Sequence, residues 1–261
     1  MAKAGATGGG VAVMRRYESE RDDALIRDPE AGTVAGPEAY DWYWSLSDET
    51  RMLMTSMVAV RTRWIDDAAR RAIISGAEQV VVVGSGADTR YARAVYTPTT
   101  RVFELDFPRV LDRMSEYVNA SHYRYQRIVV PCDLTRDGLG ELTANPNFSP
   151  KKRTVWILEG VTGYLSDLEC HAILTEAFQL SGAHSEILAT FVGASRMAFG
   201  PTSRRSTQHQ YVTDRPAKVL EDCGWRSCQY ACGEIALDLY GRRELGEYDY
   251  WLCWGFAELI E

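Results

Sequence analysis

Acidic side chains stand at or just past the ends of three apolar segments of the sequence, where they could bind hydroxyl or cationic groups. These residues are Glu104, Asp106, Asp133 and Glu159. Each segment is short and largely apolar, as expected for the strands of a parallel sheet. Because the carboxyl ends of parallel strands meet at one edge, we expect these carboxylates to share a crevice. A carboxylate can accept both hydroxyls of a ribose or bind an amino group.

A fourth segment, residues 79–90, supplies the turn against which a ligand would lie. It contains four consecutive valines and then Gly84 and Gly86. The valines predict a strand buried on both faces, and the glycines allow a tight turn with space beside the backbone. Asp88 could cap the helix that follows or contact the ligand, and the cap is favoured. This strand, turn and helix form the nucleotide-binding corner of a doubly wound sheet.

The charges at this corner discriminate between nucleotide-like ligands. A nicotinamide site needs a third glycine in the spacing Gly-x-Gly-x-x-Gly, and Thr89 occupies that position. An oxidoreductase is therefore the least favoured class, and carboxylates at three strand ends would also repel a pyrophosphate. S-Adenosylmethionine carries ribose hydroxyls, an adenine amino group and a positive charge but no phosphate. It is the ligand that fits this acidic edge.

The elements that must position these groups follow from the hydrophobic pattern. Strands alternate with helices as far as residues 185–192, which predicts a parallel sheet with right-handed crossovers. Two final strands, residues 225–232 and 248–258, are close enough in sequence to pair as an antiparallel hairpin at one edge. The predicted fold class is α/β, with a doubly wound, mostly parallel sheet of seven strands.

Helices are expected on both sides of the glycine corner. Apolar residues recur every three or four positions from residue 49 to Ile74. A short helix is predicted near residues 89–96. Pro108 opens another helix, and Ser166 begins a capping box for a later one.

The N-terminal region is interpreted as an extension of one domain that covers residues 11–261. Residues 1–10 are small and are predicted to be disordered, and residues 11–48 are predicted to form a helical cap. Tyr40 and Tyr43 belong to a run of four aromatic rings in five residues. These rings could belong to the core or could line a substrate pocket.

Composition argues against several partners. Lys and Arg number 29 and Asp and Glu 36, a net charge of −7, so no general attraction to nucleic acid or an anionic membrane is expected. The sequence has neither a transmembrane run nor the apolar centre of a secretory signal, which favours the cytoplasm. The six cysteines form no Cys-x-x-Cys pair and the four histidines are scattered, so no metal site is expected.

Six motifs in order resemble the leucine carboxyl methyltransferase family and its bacterial relatives that methylate carboxyl groups of small metabolites. They are Asp28-Pro29, Arg61-Thr-Arg-Trp-Ile-Asp66, residues 79–90, Phe103-Glu-Leu-Asp-Phe-Pro108, Asp133-Leu134 and Glu159-Gly-Val-Thr-Gly-Tyr164. The resemblance begins at about Met14, and it implies a class I methyltransferase with a Rossmann-like fold that uses S-adenosylmethionine. Relatives more often carry bulkier apolar residues where this chain has Thr162 and Gly163.

The resemblance implies roles for individual residues. With the glycine turn included, the predicted cofactor-binding residues are Arg61, Gly84, Gly86, Asp106, Asp133, Leu134 and Glu159. Arg61 would bind the cofactor's carboxylate, Asp106 its ribose and Glu159 its amino group. Gly84 would approach the methionine portion, and Asp133 with Leu134 would frame the adenine. Arg61, which the helical pattern alone would leave solvated, thereby becomes a functional residue.

Methyl transfer to a carboxylate needs no general base, because a carboxylate is already ionised at neutral pH. The protein would align the reacting atoms and exclude water. Tyr164 and Arg63 are the predicted catalytic residues that hold a small acid of natural-product type, and the product is a methyl ester. The alternatives are a phenol or amine acceptor, a phenol requiring a base such as His209 or His122, and a non-catalytic cofactor-binding protein.

Residues 194–215 follow the fifth strand, where relatives carry a substrate-covering insertion. The segment shows no periodicity and contains four arginines and one aspartate. It could be a solvated loop, or a lid that attracts an anionic acceptor. In the second case Arg204, Arg205 and His209 would bind the substrate.

Overall fold

A sheet of seven strands organises the chain in a computed structural model that describes residues 4–93, 95–117, 125–194, 210–242 and 250–258. The strands are β1 (Gln79–Val83), β2 (Arg101–Asp106), β3 (Gln126–Pro131), β4 (Thr154–Leu158), β5 (Glu186–Val192), β6 (Arg226–Ala231) and β7 (Tyr250–Phe256). Their order is β3-β2-β1-β4-β5-β7-β6. β7 pairs antiparallel with β5 and β6, and the other pairs are parallel. The predicted fold class is confirmed.

Helices cover both faces of this sheet. Over the described residues they are α1 (Ala4–Glu18), α2 (Ala31–Ala35), α3 (Pro37–Ser45), α4 (Asp48–Ile74), α5 (Pro108–Tyr117), α6 (Leu134–Asp137), α7 (Gly140–Ala144), α8 (Asp167–Leu180), α9 (Pro216–Asp222) and α10 (Cys232–Tyr240). The helix predicted near residues 89–96 is only a 3-10 turn, Arg90–Arg93. α10, which directly follows β6, was not predicted.

The two faces carry separate hydrophobic cores because side chains alternate along a strand. Val80 and Val82 of β1 join the core formed with α1, α4 and α10. Val81 and Val83 join the core formed with α7, α8 and α9. All four valines are at most 3% exposed, the environment expected for a central parallel strand.

The N-terminal helix lies against the glycine corner. α1 begins at Ala4, so the prediction of disorder is wrong for residues 4–10. A Cβ on Gly9 would lie 2.7 Å from the carbonyl oxygen of Ala35, and one on Gly8 would lie 3.4 Å from the backbone nitrogen of Ala87. Because glycine is a poor helix former, we attribute this helix to close tertiary packing rather than to intrinsic propensity.

Two further observations apply to the described part of the chain. None of its helices is long and apolar enough to cross a membrane. Its His, Cys, Asp and Glu side chains form no group that could hold a metal ion. Four predicted residues, Arg204, Arg205, His209 and the alternative base His122, lie outside the described ranges.

Candidate functional site

The turn after β1 is tied to the end of β2. Gly84 and Ser85 both donate their backbone N–H groups to the carbonyl oxygen of Leu105, at 2.9 and 3.0 Å. Asp106 accepts the N–H of Gly86 at 2.7 Å through Oδ2 and that of Phe107 at 2.7 Å through Oδ1. Its carboxylate is therefore fixed beside the glycine turn. Burial raises the pKa of Asp106, and the two backbone N–H groups partly offset that effect.

The glycine turn has one packed side and one open side. Gly84 has φ +67°, and a Cβ there would lie 2.6 Å from Cγ2 of Val161 and 3.9 Å from Cδ1 of Leu134. A Cβ on Gly86 would have no described atom within 4 Å beyond its chain neighbours. The buried Oγ of Ser85 has no hydrogen-bond partner among the described residues. This cradle and its unpaired hydroxyl fit a polar ligand that lies along the backbone, as S-adenosylmethionine would.

The residues after β3 form the adjoining wall. Asp133 caps α6, and its Oδ1 accepts from the backbone N–H of Thr135 at 3.1 Å and from its hydroxyl at 2.7 Å. Leu134 follows and reaches the glycine turn, as the distance to Gly84 shows. The structure therefore brings Leu134 to the turn, whereas the side chain of its neighbour Asp133 caps α6.

Arg61 and Glu159 form a buried ion pair at the end of β4. Nε of Arg61 donates to Oε1 of Glu159 at 3.0 Å, and the hydroxyl of Thr62 donates to the same oxygen at 2.9 Å. Arg61 also donates to the hydroxyl of Tyr250 at 3.0 Å, and that hydroxyl donates to Oγ1 of Thr190 at 2.8 Å. A cation and an anion in contact are complementary to a zwitterionic amino acid, whose carboxylate and ammonium could each bind one of them.

A second arginine binds the other oxygen of this carboxylate. Arg90 donates to Oε2 of Glu159, and it also binds Asp66 and Asp88. Burial alone would raise the pKa of Glu159, but Arg90 and Arg61 outweigh it and hold the pKa well below its ordinary value. Glu159 is therefore an anion throughout the neutral range. Asp88 accepts the backbone N–H of Arg90 at 2.8 Å, which is the expected capping contact.

Two predicted residues lie away from this cluster. Glu104 of β2 binds Arg127 of β3 through Oε2, at 2.7 and 2.9 Å, so it belongs to a structural ion pair. Arg63 is two residues from Arg61 and thus on another face of α4, where it binds Asp67 and the carbonyl oxygen of Leu25. The assignment of Arg63 as catalytic does not fit this position, because its side chain is 45% exposed and paired elsewhere.

The aromatic run and Tyr164 have different surroundings. Tyr43 is buried, stacks on Tyr17 with ring centroids 4.8 Å apart, and pairs with the hydroxyl of Thr55. Tyr40 is half-buried and donates to the carbonyl oxygen of Gly32 at 3.3 Å. These contacts support packing within the N-terminal extension rather than a substrate pocket.

Tyr164 ends a 3-10 turn, Thr162–Tyr164, just after β4. Gln210 is the first described residue after the gap that begins at residue 195. It donates its backbone N–H to Gly163 at 2.7 Å and its side-chain amide to the carbonyl oxygen of Tyr164 at 3.4 Å. One end of the predicted lid segment is thus attached at the Tyr164 turn.

Several groups in this cluster were not predicted from the sequence: Ser85, Thr62, Arg90, Thr190 and Tyr250. Arg90 stands at the end of the glycine motif, but its partner Glu159 is 69 positions further along the chain. Tyr250 reaches Arg61 across 189 positions. Spacing along the sequence carries no signal for pairs this far apart.

Known proteins resemble this chain in sequence and in fold. Residues 9–178 match the family described as leucine carboxyl methyltransferase. A Frankia alni protein is 31% identical over 256 residues, which cover 91% of this chain and 87% of the relative. A Streptomyces avermitilis protein is 32% identical over 253 residues, which cover 91% and 88%. Both are named as candidate S-adenosyl-L-methionine-dependent methyltransferases.

A solved structure supports the fold independently of close sequence similarity. A DUF574 family protein from Streptomyces avermitilis gives a TM-score of 0.63 at 14% identity, with 94% of this chain and 96% of that chain covered. An identity this low carries information about the fold alone. The family match and the names of the two relatives also identify the cofactor. The chain belongs to the leucine carboxyl methyltransferase family and is an S-adenosylmethionine-dependent methyltransferase.

Proposed function

We propose that the protein transfers the methyl group of S-adenosylmethionine to a carboxylate of a small acid and forms a methyl ester. The observation that carries this proposal is the state of the titratable groups near the glycine turn. Arg61, Arg90 and Glu159 are all held in ion pairs, and both oxygens of Asp106 accept backbone N–H groups. Each of these groups is engaged in an ion pair or in hydrogen bonds, and a carboxylate acceptor needs no base because it has no proton to give at neutral pH.

The cofactor-binding roles are part of this proposal. Arg61 pairs with the carboxylate of the cofactor's amino acid, and Glu159 pairs with its ammonium. Asp106 accepts the ribose hydroxyls, Leu134 packs against the adenine beside Asp133, and the open side of Gly86 gives the ligand its space. When bound, S-adenosylmethionine supplies a methyl group activated by a sulfonium. The residues of this chain orient the groups and exclude water.

A phenol acceptor would instead require a base. The two histidines in the described ranges are His171, which binds the carbonyl oxygen of Asp167 on α8, and His184, which precedes β5. Neither follows the carboxyl end of a parallel strand, where the glycine turn lies. A phenol acceptor would therefore depend on His122 or His209, which lie outside the described ranges.

Release of methanol distinguishes the two chemistries. After incubation with methyl-labelled S-adenosylmethionine and a panel of small carboxylic acids, we expect label that becomes volatile in mild alkali, because a methyl ester hydrolyses to methanol. Without added acid, the volatile label should fall to background. Label that stays in an alkali-stable product would instead indicate an ether or a methylamine and would overturn the carboxylate assignment.

Tyr164 is proposed to donate its hydroxyl to the acceptor's carboxylate. Tyr164→Phe should raise the KM for the acid at least about tenfold, since a hydrogen bond to a charged group contributes roughly 1.5–3 kcal/mol. Its Kd for S-adenosylhomocysteine should not change. The matched control is Tyr117→Phe at the end of α5, an exposed tyrosine for which both constants should stay at wild-type values. An unchanged KM in Tyr164→Phe would remove Tyr164 from the acceptor site.

A further inference from the structure

The guanidinium of Arg90 connects three carboxylates that come from three different elements. Its Nε donates to Oδ1 of Asp66 on α4 at 2.8 Å, and its Nη1 donates to Oδ2 of Asp88 at 2.6 Å. Its Nη2 donates to Oε2 of Glu159. Only 4% of the side chain is exposed. This use of all three nitrogens requires the planar fork of an arginine, which a lysine cannot reproduce.

The two oxygens of Glu159 have separate partners. Oε1 accepts from Arg61 and Thr62, and Oε2 accepts from Arg90. Arg61 is the residue proposed to pair with the cofactor's carboxylate, so its bond to Glu159 must compete with the ligand. Arg90 has no such competing role, because its remaining nitrogens bind two other carboxylates.

The position of Arg90 is itself fixed by a second layer of charges. Asp66 accepts from Arg90 through Oδ1 and from Nε of Arg93 through Oδ2, the latter at 2.6 Å. Arg93 also donates to Oδ2 of Asp28 at 2.7 Å. Both arginine side chains are at most 5% exposed. A guanidinium held in this way can orient a neighbouring carboxylate before any ligand arrives.

We infer that Arg90 is a positioning residue that holds Glu159 for the ammonium of the cofactor's amino acid and thereby lets Arg61 turn to its carboxylate. Without Arg90, Arg61 would be the one arginine in an ion pair with Glu159 among the described residues, and the ligand would have to break that pair. Arg90 acts through Glu159 and does not contact the reacting atoms. The inference rests on the proposed roles of Arg61 and Glu159 and is independent of the acceptor.

The affinities for two ligands distinguish this positioning role from a general disruption of the site. S-Adenosylhomocysteine contains the amino acid, whereas 5′-methylthioadenosine has the same adenosine and sulfur without it. By calorimetry, Arg90→Gln should lower the affinity for S-adenosylhomocysteine at least tenfold. Its affinity for 5′-methylthioadenosine should change less than twofold. Arg90→Lys keeps the charge and should recover part of the loss. Equal losses for both ligands, or no loss for either, would overturn the inference.

A matched control comes from the same network. Arg93→Gln removes a neighbouring buried arginine that binds Asp66 and Asp28 but not Glu159. It should lower the stability of the protein and leave the ratio of the two affinities at the wild-type value. If Arg93→Gln changed this ratio as much as Arg90→Gln does, a specific role for Arg90 would be excluded.

A double-mutant cycle tests the route through Glu159. In a Glu159→Gln background, replacing Arg90 by Gln should cause less than a twofold further loss of S-adenosylhomocysteine affinity, because the carboxylate that Arg90 positions has already been removed. Independent tenfold losses would contradict the inference. If Glu159→Gln alone left the ratio of the two affinities unchanged, the proposed role of Glu159 would fail first. If only the Arg90 variants left it unchanged, the failure would concern Arg90 alone.

Discussion

Asp106→Ala is expected to lower the affinity for S-adenosylhomocysteine and for 5′-methylthioadenosine alike, by at least about 100-fold. Two hydrogen bonds from ribose hydroxyls to a carboxylate contribute roughly 1.5–3 kcal/mol each, and 1.4 kcal/mol is a factor of ten. The same substitution removes the acceptor of the Gly86 N–H, which holds the turn beside β2. Both ligands contain the ribose, so both should be affected, in contrast to the Arg90 variants. Calorimetry at neutral pH measures the two constants.

The control for this variant is an acid two positions away on the same strand. Glu104→Gln alters a carboxylate that binds Arg127, so it should cost stability while both affinities stay within about twofold of wild type. Wild-type affinity in Asp106→Ala would refute the ribose assignment. A comparable loss in Glu104→Gln would show that any change of charge in β2 disturbs the site.

Glu104 and Asp106 show which features of the site can be predicted from the sequence. Both acids could be placed near the end of a strand from the apolar run Arg101–Asp106. Asp106 lies at the glycine turn because the register of β1 and β2 pairs Val83 with Leu105. Glu104 reaches Arg127 diagonally across β2 and β3, where its direct partner is Val129. Strand positions follow from local patterns, whereas the pairing of charges across strands follows from register.

The fold was predictable for a related reason. Buried parallel strands are short runs of β-branched residues between turn signals, and the run at Gln79–Val83 is of this kind. The start of α1 was not predictable, because its glycines favour disorder until Gly9 packs on Ala35. α10 was missed because Cys232 follows β6 directly, so no loop separates the strand from the helix.

Asp28→Asn should lower the free energy of unfolding by about 3 kcal/mol, the second large effect that we expect. Asp28 is fully buried, and its Oδ2 accepts from Arg15 at 2.8 Å and from Arg93 at 2.7 Å. Removing one partner from a buried ion pair typically costs about 3–5 kcal/mol, because the remaining charges lose their compensation. Asn keeps one acceptor oxygen and the size of the side chain, so the change isolates the charge. Urea unfolding at pH 7 measures the difference.

The matched control is Asp67→Asn, which removes an aspartate that pairs with the partly exposed arginines Arg63 and Arg70. Such pairs contribute roughly 0–1 kcal/mol, so its unfolding midpoint should stay close to wild type. If Asp28→Asn were equally mild, the buried charges that join the N-terminal extension to Arg93 would not stabilise the fold.

The pH dependence provides an independent check on the origin of this stability. Burial would raise the pKa of Asp28, but Arg15 and Arg93 outweigh it and hold the pKa below its ordinary value. A carboxyl whose pKa is lower in the folded state stabilises the protein above its unfolded pKa of about 3.9, and this contribution is lost as the pH falls through the folded value. The difference between wild type and Asp28→Asn should therefore be full at pH 7 and shrink below about pH 4. A difference that did not change with pH would point to altered packing rather than to charge.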